Sequence, residues 1–211
     1  MKTVFISGSD TGVGKTFFTE RLIRLLKSLP VAGYKPIACG GREDAQLFLK
    51  AMERSDITLD QINPCFLKNP LAPQVAAKIE SRKIDFKLLD KALEKLKSRF
   101  SLILIEGAGG LLTPITNTLT MRDLAKRWSC PVILIVPNRL GALSQARCVV
   151  ECVEHEGLEL EALVLNPTEA DKMIQQTNFE VLNAHWPNKV FSLEETALKQ
   201  IAQKLSERLV L

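Results

Sequence analysis

The chain has 211 residues, 46% hydrophobic and 25% charged, a balance near that of ordinary globular domains and far from disordered or low-complexity sequence. Its 28 basic and 24 acidic residues leave a net charge of +4 with no block of five like charges, which speaks against a nucleic-acid partner or a membrane surface. The longest uninterrupted apolar run, Val132 to Val136, is far below the ~20 residues of a membrane-spanning helix, so the cytoplasm is the expected compartment.

Residues 3–7 form a β-rich run that opens into Gly8-Ser9-Asp10-Thr11-Gly12-Val13-Gly14-Lys15-Thr16. A helical period follows over 15–29, with Leu22, Leu25, Leu26 and Leu29 spaced by three and four. A second strand is expected at 33–37, carrying Tyr34-Lys35-Pro36. Asp44 then precedes Ala45-Gln46-Leu47-Phe48-Leu49, where a helix N-cap would stand. Residues 63–73 hold three prolines and read as a long irregular loop, a texture that often marks function.

Helical spacing returns at 85–97, through Leu88, Leu89, Ala92, Leu93 and Leu96. The next strand, 102–106, is apolar until Glu106 and leads into Gly107-Ala108-Gly109-Gly110. Beyond it come a helix at 121–128, a strand at 132–136, a helix at 142–156 and a strand at 162–166 that ends on Asn166 before Pro167. Helices are expected at 171–185 and 194–208. Cys148 and Cys152, four apart on the 142–156 helix, read as small core-facing residues. The five cysteines form no C-x-x-C pair and the two histidines lack companions at ligand spacing, so free thiols and no zinc site are expected.

Strands that are apolar on both faces are buried on both faces, and their alternation with helices implies an α/β fold. We therefore expect an open, mostly parallel sheet flanked by helices, of the P-loop NTPase type, with residues 1–211 as a single domain. The strand–glycine turn–helix order at 3–16 is the context of a phosphate-binding loop. Its glycines let backbone N–H groups wrap a polyphosphate, and the helix N-terminus adds partial positive charge. Lys15, expected as an exposed amine, would reach the β- and γ-phosphates of ATP, and the Thr16 hydroxyl would ligate magnesium. Glu106, at the carboxyl end of a parallel strand, stands where a second magnesium-holding group is needed. The generic loop has glycine five places before the Gly14-Lys15 pair; here Ser9 stands there and Gly8 precedes it.

With that displaced glycine, residues 8–16 resemble the G-T-D-T-x-V-G-K-T signature of the dethiobiotin synthetases. Tyr34-Lys35-Pro36-Ile37 is similar to that family's Y-K-P-V, and Glu106-Gly107-Ala108-Gly109-Gly110 to its E-G-A-G-G; the turn at Gly141 follows in the same order. The resemblance implies an ATP- and Mg2+-dependent ring closure of 7,8-diaminononanoate with CO2, catalysed by a homodimer, with Lys35 catalytic. It implies ATP contacts from Gly12, Val13, Gly14, Lys15, Thr16, Phe17, Asp44, Glu106, Gly107, Ala108, Gly109, Asn166 and Pro167, with Asn166 at the adenine. Magnesium would be held by Thr16, Asp44 and Glu106, and substrate contacted by Thr11, Lys35 and Cys39. Cys39 stands where the family commonly has serine, and Ser144 where it has asparagine. Cys39, placed beside Lys35, is expected to carry a lowered pKa unless burial dominates, and to alkylate faster than Cys148 and Cys152. Two other classes share parts of the pattern. Partitioning-type ATPases usually carry a lysine near the start of the loop, where Ser9 and Asp10 stand, and cobyrinate-type amidotransferases need a glutaminase domain for which 211 residues leave no room.

Overall fold

The computed structural model describes residues 3–168 and 171–210. In chain order the first elements are β1 (Thr3–Gly8), α1 (Lys15–Leu25), β2 (Val31–Tyr34), β3 (Ile37–Cys39), α2 (Glu43–Met52) and α3 (Leu59–Ile62). Then come β4 (Cys65–Leu67), α4 (Pro73–Ile79), α5 (Phe86–Lys97), β5 (Leu102–Gly110) and α6 (Met121–Arg127). The chain continues through β6 (Val132–Asn138), α7 (Ala142–His155), β7 (Leu160–Pro167), α8 (Lys172–His185), β8 (Val190–Ser192) and α9 (Glu195–Val210).

Six strands lie side by side in the order β2-β5-β1-β6-β7-β8, and every pairing is parallel. This is the open α/β sheet expected from the apolar runs: Val4, Phe5, Ile6 and the stretches 102–105 and 132–136 have no exposed surface. Helix α1 turns Phe18, Leu22 and Ile23 inward. Burial of a side chain of that size stabilises the fold by about 1.5–3 kcal/mol. Because β1 lies between β5 and β6, both its neighbours come from the later half of the pattern and bring their carboxyl ends beside the 8–16 turn.

Four expectations are corrected. The strand foreseen at 33–37 is two strands: after Tyr34 the chain leaves the main sheet, Lys35 N donates to Ile62 O, and Pro36 has no N–H to give. The irregular loop foreseen at 63–73 contains β4, which pairs with β3 as a separate two-stranded parallel sheet, and it ends on the proline that starts α4. The buried face of α7 is Ala142, Ala146, Val150 and Val153, so Cys148 falls on the exposed side and Cys152 is half-buried. Helix α1 also stops at Leu25, four residues early, in a turn closed by Leu29 N donating to Leu26 O.

Candidate active site

The register of the parallel sheet assembles the site. Tyr34 pairs with Ile105 across β2 and β5, so Lys35, where the chain leaves the sheet, comes out beside Glu106; Ile6 pairs with Glu106 across β1 and β5. Between Ile6 and Gly8 the register shifts, and β5 runs on to Gly110 rather than ending at Glu106. Added Cβ atoms explain the glycines that follow. At Gly107 one would meet the Phe5 ring at 3.1 Å, and at Gly110 it would meet the Gly8 and Ser9 carbonyls at 3.2 Å.

Glu106 is wholly buried. Its Oε1 accepts from Lys35 Nζ at 2.6 Å and from the Thr16 hydroxyl at 3.0 Å, while its Oε2 accepts from the Thr19 hydroxyl at 2.8 Å. Lys35 Nζ also donates to Asp44 Oδ2 at 2.7 Å and to the Gly107 carbonyl at 3.4 Å. Burial alone would push the Lys35 ammonium down; the carboxylates of Glu106 and Asp44 more than offset this and hold it above its ordinary value. Asp44, half-exposed, is pushed up by burial but held below the usual carboxylate range by Lys35, Thr16 and Lys15. Its helix begins after Arg42, so Asp44 lies in the first turn of α2 and turns its carboxylate to Lys35 rather than capping the helix.

The phosphate loop has its own geometry. Gly12 and Gly14 take φ of +74° and +99°, which glycine enters without strain. Lys15 is buried, contrary to the exposed amine expected, and Nζ donates to the Asp10 carbonyl at 2.9 Å across the loop. Burial lowers its pKa to about 8; Lys35 adds to the shift, against Glu106, Asp44 and Asp10. Asn166 Nδ2 donates to the Val13 carbonyl at 2.9 Å, and a Cβ on Gly14 would lie 2.5 Å from that nitrogen. The end of β7 is therefore packed directly on the loop.

The comparisons with known proteins fall on this geometry. The family described as an AAA domain matches residues 2–205. The plasmid partition protein of Borrelia burgdorferi superposes with a TM-score of 0.63 at 16% identity, covering 98% of this chain and 99% of that one, a likeness of fold alone. The ATP-dependent dethiobiotin synthetase of Akkermansia muciniphila is 36% identical over 168 residues, 79% of this chain and 78% of the relative. That of Vibrio vulnificus is 35% identical over 175 residues, covering 79% and 77%. The chain belongs to the dethiobiotin synthetase family. Similarity at this level over more than three quarters of both chains decides between the family and the partitioning ATPases, whose fold it shares.

Of the residues expected to serve a dethiobiotin synthetase, Thr16, Lys35, Asp44 and Glu106 meet in one cluster, and Val13, Gly14 and Asn166 in a second beside it. Ala108 is half-buried, and Gly109 takes a φ of +67° with Thr113 where a Cβ would go. Phe17 is 56% exposed on the first turn of α1, and Pro167 is exposed at the end of β7. Thr11 is exposed on the loop, its N–H donating to Asp10 Oδ1. Cys39 does not behave as expected. Burial pushes its thiol up to about 11, Cys65 and Glu80 push the same way, and Lys35 pulls only weakly against them.

Two residues went unread. Thr19 lies wholly buried behind Glu106; its place three residues after Thr16, on the same helix face, was the available signal. Asn63, buried, donates to the Lys35 carbonyl at 2.7 Å and accepts from Arg42 Nε at 2.8 Å, so the α3–β4 corner fixes the backbone of Lys35. No local pattern marks that contact, because it joins residues 28 apart.

Proposed function

We propose that the chain closes 7,8-diaminononanoate and CO2 into the cyclic urea dethiobiotin at the expense of ATP, through the cluster of Thr16, Lys35, Asp44 and Glu106. One amine of the substrate takes up CO2 as a carbamate, ATP phosphorylates the carbamate oxygen, and the neighbouring amine attacks the carbonyl carbon to release phosphate. Both nucleophiles belong to the substrate, so the protein's work is positioning and charge neutralisation. The observation that carries the reading is a buried ammonium, Lys35 Nζ, held within 2.7 Å of two carboxylates at the mouth of the phosphate loop. A fixed cation there faces the charge that develops during phosphoryl transfer.

Thr16, Asp44 and Glu106 offer a hydroxyl and two carboxylates, oxygen donors suited to Mg2+, which takes few protein ligands and keeps phosphate oxygens and waters. That Asp44 and Glu106 already converge on one ammonium supports their holding a compact cation between them. When bound, the metal supplies positive charge at the β- and γ-phosphates. Gly12, Val13, Gly14, Lys15, Gly107, Ala108 and Gly109 would line the ATP phosphates. Phe17, Asn166 and Pro167 would flank the nucleoside, with the Asn166 amide reading adenine. Substrate would lie along Thr11, Lys35 and β3, where Cys39 replaces serine.

We read residues 1–211 as one domain working as a homodimer. Its single contiguous core and the large apolar side chains exposed at Leu71, Leu112 and Leu140 support that reading. Among the described residues no helix is long and apolar enough to cross a membrane. The test is ADP release by the purified chain given ATP, magnesium, bicarbonate and 7,8-diaminononanoate, each omitted in turn. Release that requires the diamine, and that Lys15→Ala abolishes, is expected. Release independent of the diamine would overturn the substrate, and full activity of Lys15→Ala would overturn the phosphate site.

A further inference from the structure

The carboxylate of Glu106 is divided between two jobs. Oε1 faces the reactive side, where Thr16 and Lys35 reach it. Oε2 faces the interior, where the Thr19 hydroxyl lies at 2.8 Å. Thr19 Oγ1 has one hydrogen and two acceptors within reach, since the Lys15 carbonyl stands 2.9 Å away. A bond to the helix carbonyl four residues back is a weak neutral one, and that carbonyl already serves the helix ladder. A bond to a carboxylate is about twice as strong. The hydrogen therefore goes to Glu106. Thr19 is wholly buried, and its branched Cβ allows few side-chain orientations on a helix, so the donor is aimed.

We infer that Thr19 is a positioning residue for the reaction: by fixing Oε2 it sets the rotation of the Glu106 carboxylate and presents Oε1 to the cation. The inference rests on the reading above that Glu106 holds magnesium. Without Thr19, Oε2 loses the donor that holds it, and the rotation of the carboxylate rests on the bonds to Oε1 from Lys35 and Thr16. Partners of this kind behind a metal ligand typically govern metal affinity by about 10–100-fold.

Thr19→Val keeps shape and volume and removes only the hydroxyl; Thr19→Ser keeps the hydroxyl. Mn2+ binding is measured by electron paramagnetic resonance on the full chain saturated with a non-hydrolysable ATP analogue. Analogue affinity without metal and the thermal midpoint are measured in parallel, with Glu106→Gln as the reference. We expect Thr19→Val to raise the Mn2+ Kd at least tenfold while metal-free analogue affinity stays as in wild type, and Thr19→Ser to remain within about threefold of wild type. If Thr19→Val does not fold, Thr19→Ala carries the same comparison. Wild-type Mn2+ affinity in the hydroxyl-free variant, whatever its thermal midpoint, would show that Thr19 merely fills space and overturn the inference. Equal weakening in Thr19→Ser and Thr19→Val would overturn it too, since the hydroxyl would not be what matters. Should Glu106→Gln also bind Mn2+ like wild type, the metal reading itself fails and takes this inference with it.

Discussion

A single lysine shows how position rather than identity sets the chemistry of a side chain. Lys35 would be an ordinary solvated side chain after most strands; here it is 4% exposed, with carboxylates on two sides. Removing one member of such a buried pair leaves the other uncompensated, at a cost of about 3–5 kcal/mol. The motif Tyr34-Lys35-Pro36 was legible in the sequence, but the pairing was not, because Asp44 and Glu106 are 9 and 71 residues away. Cys39 teaches the opposite lesson. Its nearness to Lys35 along the chain suggested a reactive thiolate, yet burial outweighs the cation and the thiol sits near 11 instead of 9.0. At neutral pH its thiolate fraction is then roughly a hundredfold below that of an unperturbed thiol. Alkylation followed by peptide mass spectrometry should label exposed Cys148 first at pH 7.5, and the Cys39 rate should keep climbing as pH rises toward 11. Labelling of Cys39 ahead of Cys148 at pH 7.5 would mean that Lys35 dominates after all.

At the scale of elements, the phosphate loop is secured from outside as well as by its own glycines. Gly14 needs its missing Cβ twice over, for a φ of +99° and for the Asn166 amide 2.5 Å from where a Cβ would stand. Left-handed backbone costs a residue with a Cβ about 1–2 kcal/mol, and the steric contact adds to it. Gly14→Ala should therefore lower the unfolding free energy by more than Gly12→Ala, where φ is +74° and the space is open. Adding Asn166→Ala to Gly14→Ala should recover about 1 kcal/mol beyond additivity in urea unfolding, because it removes the clash and leaves the strain. Strict additivity would mean that the loop and β7 do not press on each other. The loop was legible because glycine spacing is a local signal. The split of residues 33–37 into β2 and β3 was not: its cause is a hydrogen bond from Lys35 N to a carbonyl 27 residues later, and three-residue strands carry too few side chains for a period to show.

Over the whole molecule, the main sheet could be read from four nearly continuous apolar runs, since a strand buried on both faces leaves that trace in composition alone. Strand order could not, because parallel pairing depends on crossovers that leave no periodic mark. Assembly is a matter of surface: Leu140, one of the exposed apolar side chains offered for the homodimer contact, is 75% exposed. Sedimentation should give twice the 23.5 kDa of the chain, and Leu140→Glu should shift it toward the monomer; a fully active monomer of the unaltered chain would refute the homodimer. The central position of β1 has a further consequence, for synthesis on the ribosome. Thr3 pairs with Ile103 and Phe5 with Val132, so the strand that carries the phosphate loop leaves the ribosome about a hundred residues ahead of either neighbour. At 5–20 residues per second that interval is roughly 5–20 s. For that time the nascent chain holds an unpaired Val4-Phe5-Ile6 segment, which a chaperone can cover and a second nascent chain can capture.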